Sequence, residues 1–156
     1  KGVRGKAVKK AEKWFVERLN DTDGLGGIFP AMVNAHEALA SLGYPPDHTH
    51  RVSTREALKK LLVVNEESAY CQPCVSPVWD TALACLALEE EAGSLVGERL
   101  LRALDWLKDR QLEDEPGDWR EKHPDLKGGG WPFFFGNPYY PDLDDTSVVA
   151  LAMQQG

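Results

Sequence analysis

Apolar positions recur along this chain at helical spacing, interrupted by glycine and proline. Ala7, Ala11, Trp14, Phe15 and Leu19 fall on one face of a first predicted helix, and Gly24-Leu25-Gly26-Gly27 ends it. A second helix restarts at Pro30, carries Met32, Ala35, Ala38 and Ala40, and closes near Leu42-Gly43; its small residues permit close packing. Ser53 and Glu56 have the spacing of a capping box and announce a third, with Ala57, Leu58, Leu61 and Leu62 following. Ser76-Pro77 pairs an N-cap serine with proline at the first helical position, predicting a fourth helix through Trp79, Leu83, Leu86 and Ala87 to Gly93. A fifth spans roughly Val96 to Arg110, and the last begins at an aspartate cluster, Asp142, Asp144 and Asp145. Its apolar face, Val148, Val149, Ala152 and Met153, is expected to find its partners mostly in sequence beyond Gly156. No segment sustains strand alternation, so the predicted class is all-α.

The helices contain one internal echo. Lys10-Ala11-x-x-Trp14-x-x-x-Arg18 recurs 92 residues later as Arg102-Ala103-x-x-Trp106-x-x-x-Arg110, and each copy then reaches a glycine turn, at Gly24 and Gly117. Repeated helix-plus-turn units suit helix pairs stacked into a solenoid or a closed toroid.

Composition narrows the partners. The 156 residues are 42% hydrophobic and carry a formal charge of -7, which argues against nucleic acid. No stretch approaches the ~20 apolar residues of a membrane span. The first residues, KGVRGKAVKKAEKW, lack the apolar block of a signal peptide. Three cysteines, Cys71, Cys74 and Cys85, are too few for a disulfide framework, so a reducing compartment is expected, the cytoplasm by default. The chain starts with lysine and stops within an apolar helical pattern, and it reads as a piece of something longer.

Candidate chemistry concentrates near the carboxyl end. Cys71-Gln72-Pro73-Cys74 has redox or zinc spacing, but a structural zinc site needs four ligands and no second pair lies nearby, so loop or buried thiols are the expectation. His36, His48, His50 and His123 are scattered and suit surface or packing roles. Gly128-Gly129-Gly130-Trp131-Pro132-Phe133-Phe134-Phe135 is an aromatic-rich loop leading into acids, with Tyr139 and Tyr140 following, and it suggests a pocket wall whose ring faces attract cations. A helix cap explains one aspartate of the cluster, favoured by ~0.3–1 kcal/mol of helix dipole. Three crowded carboxylates repel, and burial beside aromatics raises a carboxyl pKa by as much as ~3–5 pH units. An acid held protonated near neutrality against aromatic walls is fitted to protonate an alkene and shelter the resulting cation. Magnesium or calcium binding is the weaker alternative, because the cluster runs at once into Thr146-Ser147-Val148-Val149 instead of an EF-hand loop.

Over its whole length the chain resembles the squalene-hopene cyclases, class II terpene cyclases. The resemblance rests on DGLGGIFPAMVNA (Asp23 to Ala35), AYCQPCVSPVWDTALA (Ala69 to Ala84), the glutamine-tryptophan unit RALDWLKDRQLEDEPGDW (Arg102 to Trp119) and GGWPFFFGNPYYPDLDDT (Gly129 to Thr146). It implies an (α/α) barrel of the terpenoid cyclase type, with residues 1–73 ending one barrel domain and 74–156 beginning the catalytic one. It implies metal-free, cofactor-free cyclisation of squalene to hopene and hopanol, begun by Asp144 as proton donor. Asp142 would be its carboxylate partner and Asp145 part of the network keeping the donor protonated. Trp79, Phe133 and Pro30 would line the substrate cavity. It further implies a homodimer held peripherally on the cytoplasmic side of a membrane, and a supporting histidine beyond Gly156, so that the piece alone would be inactive. Phe134 and Gly136 stand where members usually carry Gln and Asn or Asp, and Phe29 where some carry Gln. The first repeat unit has Leu19 and Gly26 in place of the glutamine and closing tryptophan. Two other readings remain: another class II cyclase, acting on a diterpenyl diphosphate or giving a different triterpene, and a helical-repeat interaction module whose acids only cap helices. Exposure of Asp142 and Asp144 on a convex face would favour the module.

Overall fold

The computed structural model describes residues 2–20, 24–89, 94–114, 117–121, 123–134 and 136–155. The chain forms two compact units, Lys1–Val75 and Ser76–Gly156.

The first unit holds helices α1 (Gly2–Val16), α2 (Phe29–Ser41) and α3 (Thr49–Lys60), then an antiparallel hairpin of β1 (Leu62–Val64) and β2 (Ala69–Cys71). Met32, Ala35 and Leu39 recur every three to four residues and form the buried face of α2, the edge a helix must hide from water. Met32 packs with Ala57 and Leu61, and Leu58 and Val75 close the cluster. Gly24 lies over it with φ +75°, which favours glycine, and a β-carbon there would stand 3.2 Å from Met32 Cγ, a tight contact. The buried Thr54 hydroxyl donates to the His50 carbonyl, 2.9 Å, and accepts from His36 Nδ1, 2.8 Å, tying α3 to α2.

The second unit holds α4 (Pro77–Glu89), α5 (Ser94–Lys108), a 3-10 turn at Asp118–Arg120, a short antiparallel pair of β3 (Trp131–Pro132) and β4 (Pro141–Asp142), and α6 (Leu143–Gln155). Its core takes Val78, Ala82 and Cys85 from α4, Leu100, Leu104 and Leu107 from α5, Val149 and Ala152 from α6, and Trp131. Val78, Leu107 and Val149 are fully buried, each worth ~1.5–3 kcal/mol over an exposed side chain.

The internal echo has a common geometry. The Arg18 guanidinium lies 4.2 Å over the Trp14 ring and donates to the Trp14 carbonyl at 2.9 Å. Arg110 does the same with Trp106, at 3.6 Å and 2.8 Å. In each copy a cation stacks on an aromatic face while capping a carbonyl in the last turns of its helix, where the dipole is negative.

Several expectations are corrected. The third helix begins at Thr49, capped by His48, whose Nδ1 accepts from the His50 N–H at 3.2 Å. Ser53 and Glu56 therefore lie inside it, and Glu56 pairs with Lys59 at 2.9 Å. No residue of α1 is buried, and Leu19 lies beyond its end, so the apolar pattern there does not mark a core face within this chain. The chain is mostly helical rather than purely so, because strands of two or three residues are too short to show alternation. The apolar face of α6 does not wait on other sequence: Val149 and Ala152 are fully buried within the unit, and Val148 and Met153 pack against the same core. The fourth helix is described to Glu89, and its expected end at Gly93 lies outside the described residues.

Candidate active site

The second unit builds its site around α6. Gln111 and Leu112 follow α5 and hold the glycine loop: the Leu112 N–H donates to the Gly130 carbonyl at 2.9 Å, and Gln111 Nε2 to the Gly129 carbonyl at 2.7 Å. A β-carbon on Gly128 would collide with the Glu113 backbone, so only glycine fits this close approach. Trp131 leaves the loop buried, with its indole Nε1 donating 2.7 Å to the Leu107 carbonyl in the last turn of α5. Its backbone N–H donates 3.0 Å to Thr146 Oγ1 on α6. The register Trp131↔Asp142 then sets the first aspartate beside that tryptophan.

Asp142 caps α6, with Oδ1 accepting from the Asp145 N–H at 2.8 Å. Asp142 and Asp144 are exposed, whereas Asp145 is 2% exposed. The Asp145 carboxyl is pushed up to about 7 from 3.8, first by burial, then by its hydrogen bond and charge interaction with Asp142, then by the charge of Asp144. Its Oδ1 is buried with no hydrogen-bond partner among the described residues. Burial first, and the neighbouring Asp142 and Asp144 after it, thus raise Asp145, and this carboxyl holds a proton near neutrality.

The aromatic candidates Trp79 and Phe133 are linked to each other through Ser76. Trp79 is half-buried in the first turn of α4, where Ser76 Oγ accepts its N–H at 2.9 Å, and Phe133 is half-buried just after β3. The same Ser76 hydroxyl donates to the Phe133 carbonyl. Phe134 is buried and Gly136 exposed, while Phe135 lies outside the described residues. Pro30 belongs to the first unit, where it is exposed in the first turn of α2. Asp142 also borders a cleft of about 230 Å³, between Trp119, Leu126, Pro141 and Leu143. That is below the ~300–1,000 Å³ of pockets for drug-sized ligands, so the cleft does not hold a long hydrocarbon.

Cys71 and Cys74 are exposed and Cys85 is buried, all as free thiols. Among the described residues no group of three or more His, Cys, Asp or Glu side chains could hold a metal ion. No described helix is long and apolar enough to cross a membrane.

Ser76 and Thr146 were not legible as site residues. The serine shows in the sequence as a helix cap, but its second partner lies 57 residues away. Thr146 carries no signal beyond adjacency to the aspartates.

Residues 75–156 match the model of the squalene-hopene cyclase C-terminal domain, and residues 1–67 that of the squalene-hopene cyclase N-terminal domain. The chain is 48% identical over 155 residues to a probable squalene-hopene cyclase of Sinorhizobium fredii. It is 44% identical over 161 residues to a squalene-hopene cyclase of Zymomonas mobilis, and 45% over 157 to one of Schizosaccharomyces japonicus. These alignments take in 99%, 99% and 96% of the chain, which spans about a quarter, 24%, of the length of each relative. With both domain models matched in order and more than half the chain within one of them, this chain belongs to the squalene-hopene cyclase family.

Proposed function

We propose that the chain is the part of a squalene-hopene cyclase that carries its proton donor, and that the whole protein cyclises squalene to hopene and hopanol. Asp144 donates the proton to a terminal alkene, Asp142 is its carboxylate partner, and Asp145 supports the protonated state of the cluster. The observation that carries this reading is the asymmetry of the three carboxyls: Asp145 is buried and protonated near neutrality, while Asp142 and Asp144 open outward beside it. A buried carboxyl stores a proton but does not reach a substrate, and an exposed neighbour does. Trp79, Phe133 and Pro30 face the substrate, where ring faces stabilise successive cations. Residues 1–73 end one (α/α) barrel and residues 74–156 begin the catalytic one. The protein works as a homodimer resting on the cytoplasmic face of a membrane, without metal or cofactor.

Exposure of Asp142 and Asp144, together with the cap that Asp142 makes, also suits the helix-cap reading of a plain interaction module. One variant separates the two. In the full-length protein, Asp144→Asn abolishes cyclisation of squalene with the fold intact, because an amide cannot protonate an alkene. Normal turnover by the folded variant would reject the assignment.

A further inference from the structure

Two residues whose rings are assigned to the cavity, Trp79 and Phe133, have their main chains joined through one hydroxyl. Ser76 is 2% exposed, so water does not compete for its bonds. Its Oγ accepts the Trp79 N–H at 2.9 Å, and since a carbonyl cannot donate, its single proton goes to the Phe133 oxygen. Both capacities of the side chain are committed. The flanking positions are already fixed: Val78 and Pro132 are fully buried, and Phe134 is buried. Phe133 itself is half-buried, and the serine proton is the side-chain tether that the structure gives its carbonyl.

From this geometry we infer that Ser76 is a positioning residue: it sets where the Phe133 ring stands relative to Trp79, and thereby how far a cation travels along the wall before it is lost. The inference rests on the reading of both rings as substrate-facing. A misplacement near 1 Å is enough to slow a reaction step ~100-fold. A shift of the Phe133 ring therefore alters which cation is sheltered, and the product mixture records it.

Ser76→Gly and Ser76→Thr in the full-length enzyme give a matched test, because glycine and threonine are comparable helix caps and differ in the hydroxyl. With squalene as substrate and products resolved by gas chromatography and mass spectrometry, Ser76→Gly raises the share of incompletely cyclised products by at least ~3-fold, while Ser76→Thr keeps the parent distribution. A parent distribution in Ser76→Gly, or the same rise in both variants, overturns the inference. Because the effect runs through the ring, adding Ser76→Gly to Phe133→Ala leaves the product ratio of Phe133→Ala unchanged; a further rise contradicts that route, and this comparison stands even if Ser76→Gly lowers stability. Failure of the parent enzyme to form any cyclic product rejects the functional reading itself, a result distinct from any ordering of the variants.

Discussion

At the scale of single residues, the aspartate cluster divides its labour by burial. Crowding alone does not say which of Asp142, Asp144 and Asp145 keeps a proton; the turn of α6 decides, since it puts Asp145 inward with its N–H on Asp142 Oδ1. The sign of the resulting pH dependence follows. Asp145 binds its proton more tightly when folded, up to about 7 against 3.8, so the proton's contribution to stability is fully present below pH 3.8 and is lost as pH rises through about 7. Urea unfolding of the chain across that window should show Asp145→Asn with a flatter decline in stability than the parent. Parallel slopes would mean that the buried carboxyl is not protonated. The spacing Asp-x-Asp-Asp was legible as a candidate acid site, but the inward-facing member was not, because helix phase at an N-terminus depends on where the helix starts.

At the scale of elements, the patterns that worked were those whose partners lie within a turn or two. Ser76 caps α4 and the aspartates open α6, as their spacing predicts. The capping box at Ser53 failed because His48 supplies the cap five residues earlier and Thr49 starts the helix. The paired strands β3 and β4 were invisible, since two-residue strands carry no period. What fixes α6 is long-range: Trp131 joins the end of α5 to Thr146, spanning 24 residues in one direction and 15 in the other. Trp131→Phe keeps the ring in the core but loses the indole bond to the Leu107 carbonyl, which still accepts the Arg110 N–H at 3.0 Å, and should cost ~0.5–1.5 kcal/mol in urea unfolding. The repeated Arg–Trp stacks make a second prediction: Arg110→Lys, which loses the planar stack on Trp106, should destabilise by ~0.5–1 kcal/mol. An unchanged midpoint would reduce the echo to coincidence of sequence.

At the scale of the whole molecule, the chain spans about a quarter of its relatives, and the 230 Å³ cleft beside Asp142 is too small to enclose the proposed substrate. The shape of a substrate cavity depends on residues far apart in sequence, which is why the spacing Asp-x-Asp-Asp could be read from this sequence and a cavity could not. On the proposed reading of the cluster as an acid, cyclisation by the full-length protein should survive excess EDTA; loss of activity with restoration by magnesium would favour ionisation of a diphosphate instead. The central claim is that cyclisation begins with a proton from the Asp142–Asp145 cluster. A carboxyl proton exchanges with solvent, so squalene turned over by the full-length enzyme in deuterium oxide should give hopene carrying one deuterium on carbon, and Asp144→Asn should give none of this product. Hopene formed without deuterium, or labelled equally by Asp144→Asn, would contradict the account.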